Sequence, residues 1–145
     1  NNVKDLIDIG LNIRDRVNKE VKVKHPEKPY INKVALTMIS DKPTNSIAHM
    51  KSIVVFANGS VDRSPCGTGT AAKASVLYSK GVLNIGDEFI HESVIGTTFR
   101  CKLIAETRIG SFKAIIPEIT GRAWITQISQ VIISDDDPLK YGFIL

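Results

Sequence analysis

The chain has 145 residues, 43% hydrophobic and 23% charged, the balance of one globular domain with a sizeable core rather than of a disordered, fibrous or collagen-like chain. Its formal charge of +4 is spread along the sequence, with local excess only at residues 19–28 and an acidic run at 135–137, the pattern of a solvated surface rather than of a nucleic-acid binder. Apolar runs are too short to span a bilayer and the first residues lack the basic-then-apolar order of a signal peptide, so the expectation is a cytoplasmic protein with neither membrane nor nucleic acid as partner.

The chain opens without an initiator Met, and on that ground it reads as a fragment. Val3, Leu6, Ile7, Ile13 and Val17 recur at helical spacing, which predicts a helix over residues 3–18 capped by Asn2 or Asn1. Its polar face, with Asp8, Arg14, Asp15 and Lys19, reads as solvated. Val21-Lys22-Val23 is a short strand candidate, and His25-Pro26-Glu27-Lys28-Pro29 is a loop because proline removes a donor and disfavours helix before it. Strands are expected over 34–39 and 49–57. The second ends at Asn58-Gly59, a strong turn signal; Asn58-Gly59-Ser60 also fits a glycosylation acceptor but reads here as that turn.

After Thr70, from Ala71, a helix of about ten residues is expected, closed by Gly81. Beyond it, residues 89–95, 98–106, 111–116 and 123–133 are strand-like and separated by Gly86, Gly96, Gly110 and Gly121. That predicts an α+β domain with an antiparallel, barrel-like β-layer around one helix. The acidic run 134–138 ends the last strand, and 139–145 is an apolar-ended tail expected to dock on something.

Between the second strand and the helix lies Asp62-Arg63-Ser64-Pro65-Cys66-Gly67-Thr68-Gly69-Thr70. A helix begins with unpartnered N–H groups and a partly positive end, so a thiol there is favoured as its anion, and glycines let a ligand approach the backbone. The same turn could hold a carboxylate, and Asp62 could accept from an ammonium; together these describe an α-amino acid. An isolated cysteine is more often a buried inert thiol, which remains the reading for Cys101 on its alternating strand. A structural disulfide between the two is a poor fit.

Two rival motifs fail on context. Gly67-x-Gly69-x-x-Ala72, with Asp87 further on, fits a loose dinucleotide fingerprint, but residues 58–65 separate the strand from the glycines. The phosphate-loop pattern is absent. His25, His49 and His91 are scattered singly, without a partner at ligand spacing, so no metal is expected and each reads as a surface or packed residue.

At Asp62 through Thr70 the chain resembles the proline racemase family, which includes hydroxyproline epimerases and trans-3-hydroxyproline dehydratases; the nine residues match the family's second catalytic signature. Glu92-Ser93-Val94-Ile95-Gly96-Thr97-Thr98-Phe99 and Ile119-Thr120-Gly121-Arg122-Ala123-Trp124-Ile125-Thr126 resemble two later family segments. The likeness covers essentially the whole chain but only the second half of a family member.

The resemblance implies the fold of diaminopimelate epimerase, two similar domains with the substrate between them. Residues 1–133 would be the second domain and 134–145 a tail docking on the first. It also implies two-base proton transfer at Cα without pyridoxal phosphate, any other cofactor or a metal. Carried over by position, Cys66 is one base, Asp62 binds the substrate amine, the N–H groups of Gly67 and Thr68 hold its carboxylate, and Phe56 matches a pocket-lining aromatic, although a core role suits it nearly as well. Dehydratases carry Thr at the position of Cys66, so Cys favours racemisation or epimerisation. Proline is the preferred substrate and 4-hydroxyproline the alternative; a non-catalytic binding fragment is the rival from another class.

The family's Cys-Gly-His motif, which carries the other catalytic cysteine, and its glycine-rich substrate segment are not found in this sequence. The expected partners are therefore the small-molecule substrate, the first-half domain of the same protein and, as in many relatives, a second copy in a homodimer. This piece alone is expected to be inactive.

Overall fold

A computed structural model describes residues 2–144. Two helices and five strands follow in the order α1 (Val3–Glu20), β1 (Thr37–Asp41), β2 (Met50–Val55), α2 (Gly67–Ser79), β3 (Glu88–Ser93), β4 (Thr98–Ile109) and β5 (Phe112–Thr120). The strands form one sheet in the order β1-β2-β3-β4-β5. Neighbours run antiparallel except β2 and β3, which are parallel. That exception has a direct cause: parallel neighbours need a crossover connection, and α2 supplies it. The class is the expected α+β, with α2 as the central helix.

α1 starts at Asn2, whose side chain accepts from the Lys4 N–H at 3.3 Å; the alternative cap, Asn1, lies outside the described residues. The helix meets the sheet through Gly10, which is buried, and the Thr37 hydroxyl donates to its carbonyl at 2.9 Å. A Cβ at Gly10 would come within 2.9 Å of Val55 Cγ2 and 3.0 Å of Val55 Cβ, so the close approach requires a glycine. Arg14, expected on a solvated face, instead folds inward: only 16% of its side chain is exposed, and it donates to the Ala57 carbonyl at 2.9 Å.

Three expected strands change. Val21-Lys22-Val23 forms none, because the Val21 N–H turns back to the Val17 carbonyl and closes α1. β1 starts at Thr37 rather than Val34, because the Asn18 side chain occupies both backbone groups of Val34, at 2.7 and 2.8 Å. Residues 123–133 are not a strand. A strand needs an edge to pair with, and here the segment finds none; Ile125, Ile128 and Val131 are 92%, 95% and 83% exposed.

α2 covers β3, β4 and β5. Ala74 packs with Phe89, Cys101, Leu103 and Ile115, and Met50, Tyr78, Leu83 and Ile119 complete the cluster. β4 alternates as a one-faced strand should, with Cys101 and Leu103 buried between exposed Arg100, Lys102 and Ile104. β5 follows through Gly110, whose positive φ of 56° suits a two-residue hairpin turn.

β3 carries polar groups into the interior: His91, Glu92 and Ser93 are fully buried. Glu92 accepts from the Thr44 and Asn45 N–H groups at 2.7 and 2.9 Å, from the Thr44 hydroxyl, and pairs with Lys51 at 3.1 Å. Burial works to raise its pKa, but the Asn45 and Thr44 hydrogen bonds and Lys51 outweigh it and lower it to about 2. His91 is lowered to about 4, by burial first and the nearby Lys73 charge second.

Both shifts act in one direction. A histidine with a depressed pKa and a carboxylate with a depressed pKa each bind fewer protons folded than unfolded, so acid favours unfolding. Urea unfolding at a series of pH values should show stability falling from pH 6.5 towards about 4 through His91, and from 4.5 towards about 2 through Glu92. His91→Asn should flatten the upper part of that fall and Glu92→Gln the lower; identical pH profiles for wild type and variants would contradict the assignment. Gly10→Val should lower stability by about 1–3 kcal/mol through overpacking against Val55, read as a lower urea midpoint at unchanged slope. An unchanged midpoint would mean that α1 does not pack there.

Candidate active site

β2 ends in a turn that aims the chain at α2. The Phe56 N–H donates to the Ser60 carbonyl and the Gly59 N–H to the Phe56 carbonyl, both at 2.9 Å, with Gly59 at φ 79°. The returning strand rejoins β2, the Asp62 N–H donating to the Val54 carbonyl at 3.1 Å. Asp62 Oδ1 then accepts from the Ser64 N–H and hydroxyl at 3.1 and 2.9 Å, and Ser64 Oγ accepts from the Cys66 N–H at 3.1 Å. Asp62 thus builds the loop with one oxygen, and Oδ2 is not used by this turn.

Cys66 is the N-cap of α2, which begins at Gly67, four residues before the expected start. Its backbone sits at φ 67°, and it is the non-glycine residue of positive φ among the described residues. Such a conformation costs of order 1–3 kcal/mol for a residue with a Cβ and is found where surroundings over-determine it. The thiol faces its own helix: Sγ accepts from the Gly69 N–H at 3.3 Å and lies 3.4 Å from the Thr68 hydroxyl. Gly69 sits close under the thiol: a Cβ there would lie 3.3 Å from Sγ and 2.7 Å from the Met38 methyl, the movable end of a flexible side chain. Gly67 and Thr68 are exposed, and a Cβ at Gly67 would meet nothing within 4 Å, so the backbone at the helix start is open to a ligand.

Four of the five expected residues, Cys66, Asp62, Gly67 and Thr68, are therefore gathered on one loop-to-helix junction. Phe56 is half-buried at the end of β2. It lines neither cleft that flanks the junction: one of about 600 Å³ beside Asp62, Arg63 and Ser64, closed by Thr97, Phe99, Arg122 and Trp124, and one of about 500 Å³ beside Thr68, Gly69, Met38 and Val76. In the first, the Arg122 guanidinium stacks 4.2 Å from the Trp124 ring. Cys66 itself is 4% exposed. Cys101 is fully buried on β4, and burial pushes its thiol pKa up, in keeping with an inert core residue.

Two supports of the junction were not expected. The β3–β4 turn holds the loop from outside: Ser93 and Thr97 hydroxyls lie 2.7 Å apart, and the Thr97 hydroxyl donates to the Arg63 carbonyl at 3.2 Å. Thr70 and His91 hold it from below, their side chains 2.8 Å apart. His91 is the packed residue expected, but its place under α2 was missed. Alternation along β3 offered the signal, because His91 stands two residues from Phe89 and so shares its core-facing side.

The Proline racemase family model matches residues 1–144. The chain is 51% identical to a proline racemase from Acetoanaerobium sticklandii over 135 residues, covering 93% of this chain and 40% of that protein. It is 38% identical to a 3-hydroxyproline 2-epimerase from Burkholderia multivorans, covering 99% of this chain and 43% of the relative. Among solved structures it is similar to a hydroxyproline epimerase from Agrobacterium vitis with bound trans-4-hydroxy-L-proline, at a TM-score of 0.79 and 36% identity over 98% of this chain and 40% of that one. The chain thus spans about two fifths of the length of these relatives. Similarity of this extent, carried through both helices, the sheet and the Cys66 junction, establishes that the chain belongs to the proline racemase family.

Proposed function

We propose that the chain supplies one face of a proline racemase site, in which Cys66 is one of two thiols that exchange a proton at the substrate Cα without a cofactor. The observation that carries this reading is the strained N-cap geometry: Cys66 at φ 67° with the Gly69 N–H on Sγ. Sγ, held on the Gly69 N–H at the start of α2, removes the Cα proton as a general base. A thiol on the opposite face, from the part of the protein outside this sequence, returns a proton there, so the configuration inverts and both thiols exchange protonation states.

The exposed N–H groups of Gly67 and Thr68 suit the substrate carboxylate, where charge accumulates as the Cα–H bond breaks. Asp62 Oδ2 is the acceptor for the substrate ammonium; Phe56, which lines neither cleft beside the junction, is left with the core role that suits it as well. Residues 1–133 form the second domain of a two-domain enzyme, and the tail from 134 docks on the first. Support comes from the exposed apolar side chains of Leu139, Tyr141 and Phe143, and from Ile125 and Ile128 before them. The protein is cytoplasmic on this reading; among the described residues no helix is long and apolar enough to cross a membrane.

Proline is the favoured substrate because the 51% identical relative is a proline racemase. The second reading, a hydroxyproline 2-epimerase acting by the same steps, is supported by the 36–38% identical epimerases, one holding trans-4-hydroxy-L-proline. The full-length protein should abolish the optical rotation of L-proline near neutral pH, and absence of racemisation with both proline and hydroxyproline would end the enzyme reading. Cys66→Ser should slow exchange of the Cα proton with solvent deuterium by at least about a hundredfold. Exchange at the wild-type rate would remove Cys66 from the reaction.

A further inference from the structure

Directly beneath Cys66 lies a chain of hydrogen bonds that takes no part in the steps just described. His91 Nε2 is 2.7 Å from Ser52 Oγ on β2, and Nδ1 is 2.8 Å from Thr70 Oγ1 on the first turn of α2. All three residues are buried. The Thr70 hydroxyl also lies 3.3 Å from the Pro65 carbonyl, to which it donates. Thr70 engages the peptide on the other side of Cys66 as well, its N–H donating to the Cys66 carbonyl at 2.8 Å.

The proton count fixes the direction of this chain. A hydroxyl has one proton and a carbonyl can only accept. Pro65 is buried, and among the described residues the Thr70 hydroxyl is the donor that reaches its carbonyl, so leaving that oxygen unserved would be costly. With its proton on Pro65, Thr70 Oγ1 must accept from His91 Nδ1–H. Nε2 is then bare in the neutral ring and accepts from the Ser52 hydroxyl. Burial favours that neutral ring, the charged form being expensive in the interior.

We infer that His91, as its neutral Nδ1–H tautomer, is a positioning residue that sets the direction of the Cys66 thiol through Thr70. The peptide plane between Pro65 and Cys66 is gripped at both ends, its oxygen by the Thr70 hydroxyl and its N–H by Ser64 Oγ. The next plane is held by the Thr70 N–H. With both flanking planes fixed, φ and ψ of Cys66 have no freedom to relax out of the positive-φ region, and Sγ stays on the Gly69 N–H. The ring orients Thr70: because Nδ1–H already donates to Oγ1, the hydroxyl proton points to Pro65 rather than to the ring.

The inference rests on the reading of Cys66 as a proton-transfer group, and the test separates the two. In full-length protein labelled with 15N-histidine, long-range 1H–15N spectra near neutral pH should show one ring protonated at Nδ1 and bare at Nε2, assigned by its loss in His91→Asn. A ring protonated at Nε2 would overturn the inference. Thr70→Val should cut kcat for Cα proton exchange roughly ten- to a hundredfold, as a misplaced reacting group does, with KM for proline within about threefold. Thr70→Ser, which keeps the hydroxyl, should restore kcat. If Cys66→Ser stops exchange while Thr70→Val leaves kcat unchanged, the positioning role is wrong and the role of Cys66 stands. If Cys66→Ser leaves exchange intact, the catalytic reading falls and the role assigned to His91 falls with it.

Discussion

The conformation of one residue organises this chain. Cys66 holds φ at 67°, a region where a Cβ meets its own backbone, and it holds it at the point where β2 hands over to α2. Glycine would relieve the strain but would have no thiol. The surroundings therefore carry it: Asp62 shapes the loop through Ser64, Thr97 ties Arg63 to the β3–β4 turn, and Thr70 holds the peptides on either side. The cost of order 1–3 kcal/mol is offset by several hydrogen bonds of roughly 1 kcal/mol each. The parallel pairing of β2 and β3 follows from the same junction, since the helix that Cys66 caps is the crossover between them.

Much of this was legible in the chain. The Asn58-Gly59 turn, the glycine-rich start of α2 and its stop near Gly81 carry local signals, and so do the alternating strands β3 to β5. What was not legible depends on contacts distant in sequence. Thr70 and His91 are 21 residues apart, and only the crossover brings them together. Asn18 shortens β1 by taking Val34 for itself, and Arg14 turns inward to Ala57; neither event leaves a trace in periodicity. Asp62 illustrates a mixed outcome, because its place on the loop before α2 was readable while its structural work through Oδ1 was not.

The segment after Gly121 is the reverse case, in which pattern promised more than the fold delivers. Residues 123–133 have the β-branched, alternating character of a strand, yet they run without regular structure and with Ile125 and Ile128 almost fully exposed. Propensity favours an extended backbone; only a neighbouring edge turns it into a strand. Matching relatives are more than twice as long as this chain.

The most direct test of the account is whether a substrate shields the Cys66 thiol. In full-length protein, alkylation by iodoacetamide followed by mass spectrometry should modify Cys66 faster than Cys101, and L-proline should suppress that modification saturably while D-proline does the same. Alkylation of Cys66 at an unchanged rate under saturating proline and hydroxyproline, or faster modification of Cys101, would contradict the claim that the junction at Cys66 faces the reacting carbon.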